Sequence, residues 1–186
     1  MQISEEYLKE LVLRILRELQ NEAENQKPKQ KTLYLVCLPP KNEACESFLR
    51  DMEAQNYYQI CAVIPNCWKN QEQEQRLKLF HSCKQIRYYS DGIPEDLEEA
   101  VSIFPAITKD LLAKAALCIS DTFETAWMER GIEAGARTVF LRSGLAKFSG
   151  KEKTAYTNKI MEYYRQVLEY GVEICSTEEL LEEIVR

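Results

Sequence analysis

Histidine is almost missing from this chain: His81 alone stands among 186 residues, and glycine is also sparse, at six. No G-x-x-x-x-G-K-[ST] and no G-x-G-x-x-G occurs, which disfavours a P-loop and a Rossmann dinucleotide site. The seven cysteines (Cys37, Cys45, Cys61, Cys67, Cys83, Cys118 and Cys175) show no C-x-x-C spacing. With one histidine beside them, no zinc or other metal site is expected, and reduced thiols of a cytoplasmic-type compartment are the simplest reading. His81 falls inside a pattern read as a helix over 71–83, so a histidine-based catalytic group has poor geometry, and no catalytic residue is assigned.

Long apolar runs are lacking too, and the first residues do not follow the basic, apolar, small-residue order of a secretory signal. Neither membrane insertion nor export is expected. Positive charge is in deficit, 24 Lys and Arg against 30 Asp and Glu, for a net charge of -6. That balance argues against a nucleic-acid partner. What remains, at 45% apolar and 29% charged side chains, is enough for one core of ordinary domain size.

The N-terminal "MQISEEYLKELVLRILREL" places Tyr7, Leu8, Leu11, Val12, Ile15, Leu16 and Leu19 on one helical face. Ser4 is its expected N-cap, and Glu5 and Glu6 suit the positive end of the helix dipole. The polar stretch "QNEAENQKPKQK" then reads as a linker. Two readings stay open: the helix packs back on the domain, or it docks into a partner's groove. The expected organisation is a docking helix over 1–20, a linker over 21–31 and one domain over 32–186.

From residue 32 strands and helices alternate. "TLYLVCL", "YYQICAVIP", "QIRYYS", "AVSIF", "RTVFLRSG" and "VEICS" read as strands, and the stretches between them carry helical periodicity. The stretch 109–135 is expected as two helices broken near 119–121, and Gly171 and Thr177 as helix caps. This order predicts an α/β three-layer sandwich with a mostly parallel sheet, flavodoxin-like or Rossmann-like.

In such folds ligands sit beyond the C-terminal strand ends. Four loops stand there: "PPKNEA" at 39–44, "PNCWKN" at 65–70, "PAITKD" at 105–110 and "RSGLAK" at 142–147. Each carries a basic residue (Lys41, Lys69, Lys109, Arg142), and several precede helix N-termini. Together they predict an anion site for a phosphate-bearing ligand.

The stretch "FPAITKDLLAKAALCISDTFETAWMERGIEAGARTVFLRSG" resembles the homo-oligomeric flavin-containing cysteine decarboxylase superfamily. The matching positions are the loop Pro105-Ala106-Ile107-Thr108-Lys109-Asp110, then Leu112-Ala113-Lys114-Ala115-Ala116, then Cys118-Ile119-Ser120-Asp121. The resemblance implies FMN at the strand ends, held by Ala106, Ile107, Thr108, Lys109 and Asp110, with Pro39, Pro40, Lys41, Pro65 and Asn66 bordering it. It further implies a homo-oligomer, a trimer or a multiple of one. Arg142 matches an arginine of the prenyltransferase branch. The N-terminal helix and linker resemble the encapsulation peptides of bacterial microcompartment cargo, and flavoproteins of this superfamily accompany glycyl-radical-enzyme microcompartments.

No histidine stands where the decarboxylases place theirs, and "LRSGLAK" replaces their later Pro-Ala-Met-Asn motif. The expectation is therefore an FMN electron-transfer flavoprotein rather than a decarboxylase, carried as cargo of a cytoplasmic microcompartment through residues 3–19. The alternatives are a flavin-dependent decarboxylase or prenyltransferase-like enzyme, and a flavin-free adaptor on the same scaffold.

Overall fold

The computed structural model describes residues 31–39, 43–53 and 58–185. The expected N-terminal helix, its linker up to residue 30, and Pro40 and Lys41 lie outside them. The described chain forms a six-stranded sheet of β1 (Lys31–Val36), β2 (Tyr58–Ile64), β3 (Cys83–Tyr88), β4 (Val101–Phe104), β5 (Arg137–Leu141) and β6 (Glu173–Cys175). The strand order is β3-β2-β1-β4-β5-β6 and every pairing is parallel. This is the doubly wound α/β sandwich that the alternation predicted.

Strand β1 shows why its sequence is apolar without interruption. Leu33, Leu35 and Cys37 enter one core cluster, while Tyr34, Val36 and Leu38 enter the other. A strand covered on both faces has no solvent side on which to place polar residues. One cover comes from α1 (Glu43–Asp51), α2 (Glu72–Lys78) and α6 (Thr177–Val185), through Phe48, Leu49, Leu77 and Leu180. The other comes from α3 (Lys109–Ala116), α4 (Phe123–Glu133) and α5 (Thr154–Glu169), through Leu112, Trp127, Ile160 and Val167.

The two groups of helices follow from topology. The first three strands run outward on one side of β1 and β4 starts again on the other. Right-handed crossovers then put the intervening helices on opposite faces. Between β1 and β4 the direction of winding reverses, and a crevice opens there at the C-terminal strand ends.

Inside the sheet, polar side chains are paired. Ser102 of β4 is fully buried, and its Oγ accepts the Trp127 indole N–H at 2.8 Å. Trp127 also packs edge-on against Tyr34, 5.2 Å between ring centroids. Such a buried aromatic contributes roughly 2–3 kcal/mol by its burial alone.

The helix break expected near 119–121 is present and has a defined geometry. Cys118 takes a left-handed φ of 55°, and the Ile119 N–H returns to the Lys114 carbonyl at 2.9 Å, closing α3 in a Schellman turn. Thr122 then opens α4 with a capping box shared with Thr125. Gly171 closes α5 at a φ of 88°, as its position in the sequence suggests.

Two local expectations need correction. His81 is not within a helix: α2 ends at Lys78, and His81 stands exposed in the turn before β3. The N–H groups of Leu79 and Phe80 bond three residues back, to Arg76 and Leu77, which tightens the helix end and stops it. The cap of α6 is Ser176 rather than Thr177. Its Oγ accepts the Glu179 N–H at 3.2 Å and the Glu179 carboxylate accepts the Ser176 N–H at 2.8 Å, a reciprocal pair that leaves Thr177 as a buried first-turn residue.

Candidate functional site

Proline ends β4 at Pro105, and the next three residues build one wall of the crevice. Thr108 caps α3, its Oγ accepting the Leu111 N–H at 3.1 Å. With the Leu111 N–H taken by this cap, the Lys109 and Asp110 N–H groups are those of the first turn of α3 that a helix leaves without intrahelical partners.

The loop after β5 comes up beside this wall. The Ile107 N–H donates to the Gly144 carbonyl at 2.8 Å, and Ile107 and Leu145 form a parallel bridge beyond the sheet proper. This approach depends on glycine, because a Cβ at position 144 would stand 1.8 Å from the Pro105 carbonyl oxygen. Two loops that belong to different strands are thus tied together.

Between them and the end of β1 lies a cavity of about 720 Å³. Its β1 side carries Leu38, Pro39, Glu43 and Ala44, its β4 side Ala106, Ile107, Thr108 and Lys109, and its β5 side the loop from Ser143 to Lys147. That size suits a cofactor-scale ligand, for which pockets of roughly 300–1,000 Å³ are usual. The walls are mostly apolar, with hydroxyls at Thr108 and Ser143 and ammonium groups at Lys109 and Lys147. Glu43 puts a carboxylate on the opposite wall, so the attraction for an anion is concentrated on the side of α3 and the β5 loop.

Of the residues expected to hold a ligand, Pro39, Ala106, Ile107, Thr108 and Lys109 line this one cavity. Lys109 leans on aromatic rings, its ammonium 4.7 Å from the centroid of Phe148 and 5.5 Å from that of Tyr156, with Glu152 at 3.6 Å. Asp110 turns to solvent and pairs with Lys114 at 3.3 Å. Arg142 reaches back to Glu179 of α6 at 3.0 Å. Pro65 and Asn66 stand at the end of β2, where Asn66 accepts the Ser90 N–H at 3.0 Å and ties the ends of β2 and β3 together. None of these last four lines the cavity.

Residues that the sequence reading did not single out include Glu43, Ala44, Ser143 and the bracket of Phe148, Glu152 and Tyr156. The loop 142–147 was visible as a strand end; the bracket had no local signal, since only the fold brings the start of α5 against the start of α3.

The buried thiols at the end of β1 and within β2 are poor nucleophiles. Burial pushes Cys37 well above the usual thiol range and Cys61 up to about 11, so both stay protonated at neutral pH. Tyr89 supports the β1 end from below: its hydroxyl donates to the Cys37 carbonyl at 2.6 Å and lies 3.0 Å from a Glu124 carboxylate oxygen, with burial keeping the phenol protonated.

A smaller hollow of about 290 Å³ lies between the end of α3, α4 and Tyr170. Its rim carries Glu129 and Glu133 and no basic residue, so it lacks the positive charge that the crevice at the strand ends offers an anionic ligand. Among the described residues no helix is long and apolar enough to cross a membrane.

No protein-family model matches the chain, and no curated protein matches it either. Solved structures do match. The FMN-dependent cysteine decarboxylase SpaF is 18% identical over 78% of this chain and 83% of that one, with a TM-score of 0.55. The peptidyl-cysteine decarboxylase EpiD is 11% identical over 84% of this chain and 99% of that one, with a TM-score of 0.59. A dodecameric FMN-dependent UbiX-like decarboxylase from Escherichia coli O157:H7 is 10% identical, covering 77% of each chain, with a TM-score of 0.50. At these identities the likeness is one of fold.

Against the expectation of an electron carrier rather than a decarboxylase, all three of these solved structures are of decarboxylases, and that expectation is corrected accordingly. That expectation rested on single side chains missing from the sequence. The loops that wall the cavity, by contrast, are held by backbone contacts: the Ile107 to Gly144 hydrogen bond and the close approach of Gly144 to Pro105.

Proposed function

We propose that residues 32–186 form an FMN-dependent decarboxylase domain whose cofactor lies in the cavity between β1, β4 and β5. The observation that carries this reading is the position of the cavity, at the reversal of strand order in a fold shared with FMN-dependent decarboxylases. The residues present fit the group. Ala106, Ile107, Leu145 and Ala146 offer apolar walls for a flat ring system, and Thr108, Ser143, Lys147 and the first-turn N–H groups of α3 offer donors for a phosphate. Pro39 borders the same space, and Pro40 and Lys41, next to it in sequence, belong to the same assignment. Pro65, Asn66, Asp110 and Arg142 are given no role in it.

A bound flavin supplies the two-electron chemistry that no side chain carries. The chain's own part is to orient it: the Gly144 contact fixes the distance between the β4 and β5 loops, Thr108 fixes the helix start, and the apolar walls exclude water. The substrate class is an acid that loses its carboxylate as CO2.

Purified protein should be yellow or take up added FMN, and should release CO2 from peptides ending in cysteine or from a related cysteine-derived acid. Colourless protein that takes up no FMN would sink the reading. The apolar face of residues 3–19 and the polar residues 21–31 are proposed as a docking segment and linker for a microcompartment shell or cargo protein. The support is their helical period and composition. Assembly into a homo-oligomer is proposed on the strength of the dodecameric structure with the same fold.

A further inference from the structure

Lys109 is in two environments at once. It lines the cavity, yet its ammonium rests between the rings of Phe148 and Tyr156 beside Glu152. At 3.6 Å the contact with Glu152 is an ion pair rather than a direct hydrogen bond, so the ammonium protons are not committed to it.

Glu152, for its part, does not depend on the lysine. One carboxylate oxygen accepts the Ser149 N–H at 2.9 Å, and the turn is braced further by the Lys151 N–H on Ser149 Oγ at 3.3 Å. The other oxygen is buried without a hydrogen-bond partner. Its carboxyl is held down to about 2, first of all by the Ser149 N–H and only lastly by Lys109, so it is charged at any working pH. A fixed anion therefore faces a lysine on a four-carbon arm, and the lysine is the partner that can leave.

We propose that Lys109 exchanges between Glu152 and an oxyanion of the ligand, so that Glu152 is an internal competitor setting how tightly the cavity holds anions. Glu43 on the opposite wall repels an anion and favours its approach from the Lys109 side. Phe148 and Tyr156 guide the lysine stem in both positions, the cation meeting a ring face in the one and leaving apolar stem against the rings in the other. This inference takes the identity of its ligand from the flavin reading.

FMN and riboflavin, which differ by the phosphate, separate the charge effect from ring binding. Their affinities are measured by flavin fluorescence for the full chain and for Glu152→Gln, Lys109→Met and the double variant. Glutamine keeps the acceptor for Ser149 and methionine keeps the stem, so both variants retain the local packing.

Glu152→Gln is expected to tighten FMN about fivefold, the size of a partly buried ion pair, and to leave riboflavin unchanged. Lys109→Met is expected to weaken FMN and to abolish the gain from Glu152→Gln. Glu162→Gln is the charge control: Glu162 pairs with Lys159 on the solvent face of α5, and its loss should leave FMN affinity as it was. An equal shift in Glu162→Gln, an equal shift for riboflavin, or a gain that persists without Lys109 would overturn the exchange.

Binding of neither flavin would defeat the flavin reading alone. The exchange is then decided by orthophosphate, titrated against the NMR signal of the ¹³C-methylated Lys109 amine. Movement at lower phosphate in Glu152→Gln than in the native chain keeps it, and no movement in either rejects it.

Discussion

Gly144 has room for a hydrogen and nothing larger. Its missing side chain lets the Pro105 carbonyl and the β5 loop approach closely enough for the Ile107 to Gly144 hydrogen bond. In Gly144→Ala the clash is with backbone, so one loop must give way. A loss of about 2–3 kcal/mol is expected, read as a lower urea midpoint, together with loss of the ligand cavity's affinity. At the same scale Lys109 is recognisable from sequence as a cation in a strand-end loop before a helix, whereas the capping role of Thr108 comes only from the structure. Glu152 was not recognisable, because a charged residue in a polar loop looks the same in sequence whether it faces solvent or a lysine.

Among the elements, α2 is fastened by a carboxylate rather than by apolar area alone. Glu74 is only 1% exposed; its oxygens accept the Asn70 N–H at 2.6 Å and the Tyr88 hydroxyl at 2.9 Å, and it pairs with Lys78. One side chain thereby joins the turn before α2, the helix and the end of β3. The Lys78 ammonium first, and the Asn70 N–H with it, hold the carboxyl below the usual range. A depressed carboxyl stabilises the fold above the unfolded value, near 4.3, and that contribution is lost as pH falls through the lower folded value. Glu74→Gln should therefore cost about 1–3 kcal/mol at neutral pH and show a flatter acid limb, measured by urea unfolding across that range. FMN binding at neutral pH should not change, since Glu74 does not line the cavity. At the end of α2, Leu77 is buried and Leu79 is 78% exposed, as residues two apart on a helical path face different ways.

For the whole molecule, the core of both faces is built, among the described residues, from residues 33–180. Deleting residues 1–26 is expected to leave thermal unfolding and flavin uptake intact while abolishing attachment to a shell or cargo partner. Failure of the shortened chain to fold would place that segment in the core instead.

The sequence by itself determined the elements: six strand runs, prolines after three of them, a helix break before Thr122, glycine at the close of α5. These are local properties, governed by the backbone preferences of neighbouring residues and by the period of their apolar side chains, and a linear reading reaches them. Only the tertiary structure decided the strand order and what meets at the β1 to β4 reversal: Ile107 with Gly144, Lys109 with Glu152, and Arg142 drawn away to Glu179. Those partners lie far apart along the chain. Their meeting is set by how both faces of a twisted parallel sheet are covered, a constraint that no single stretch of sequence carries.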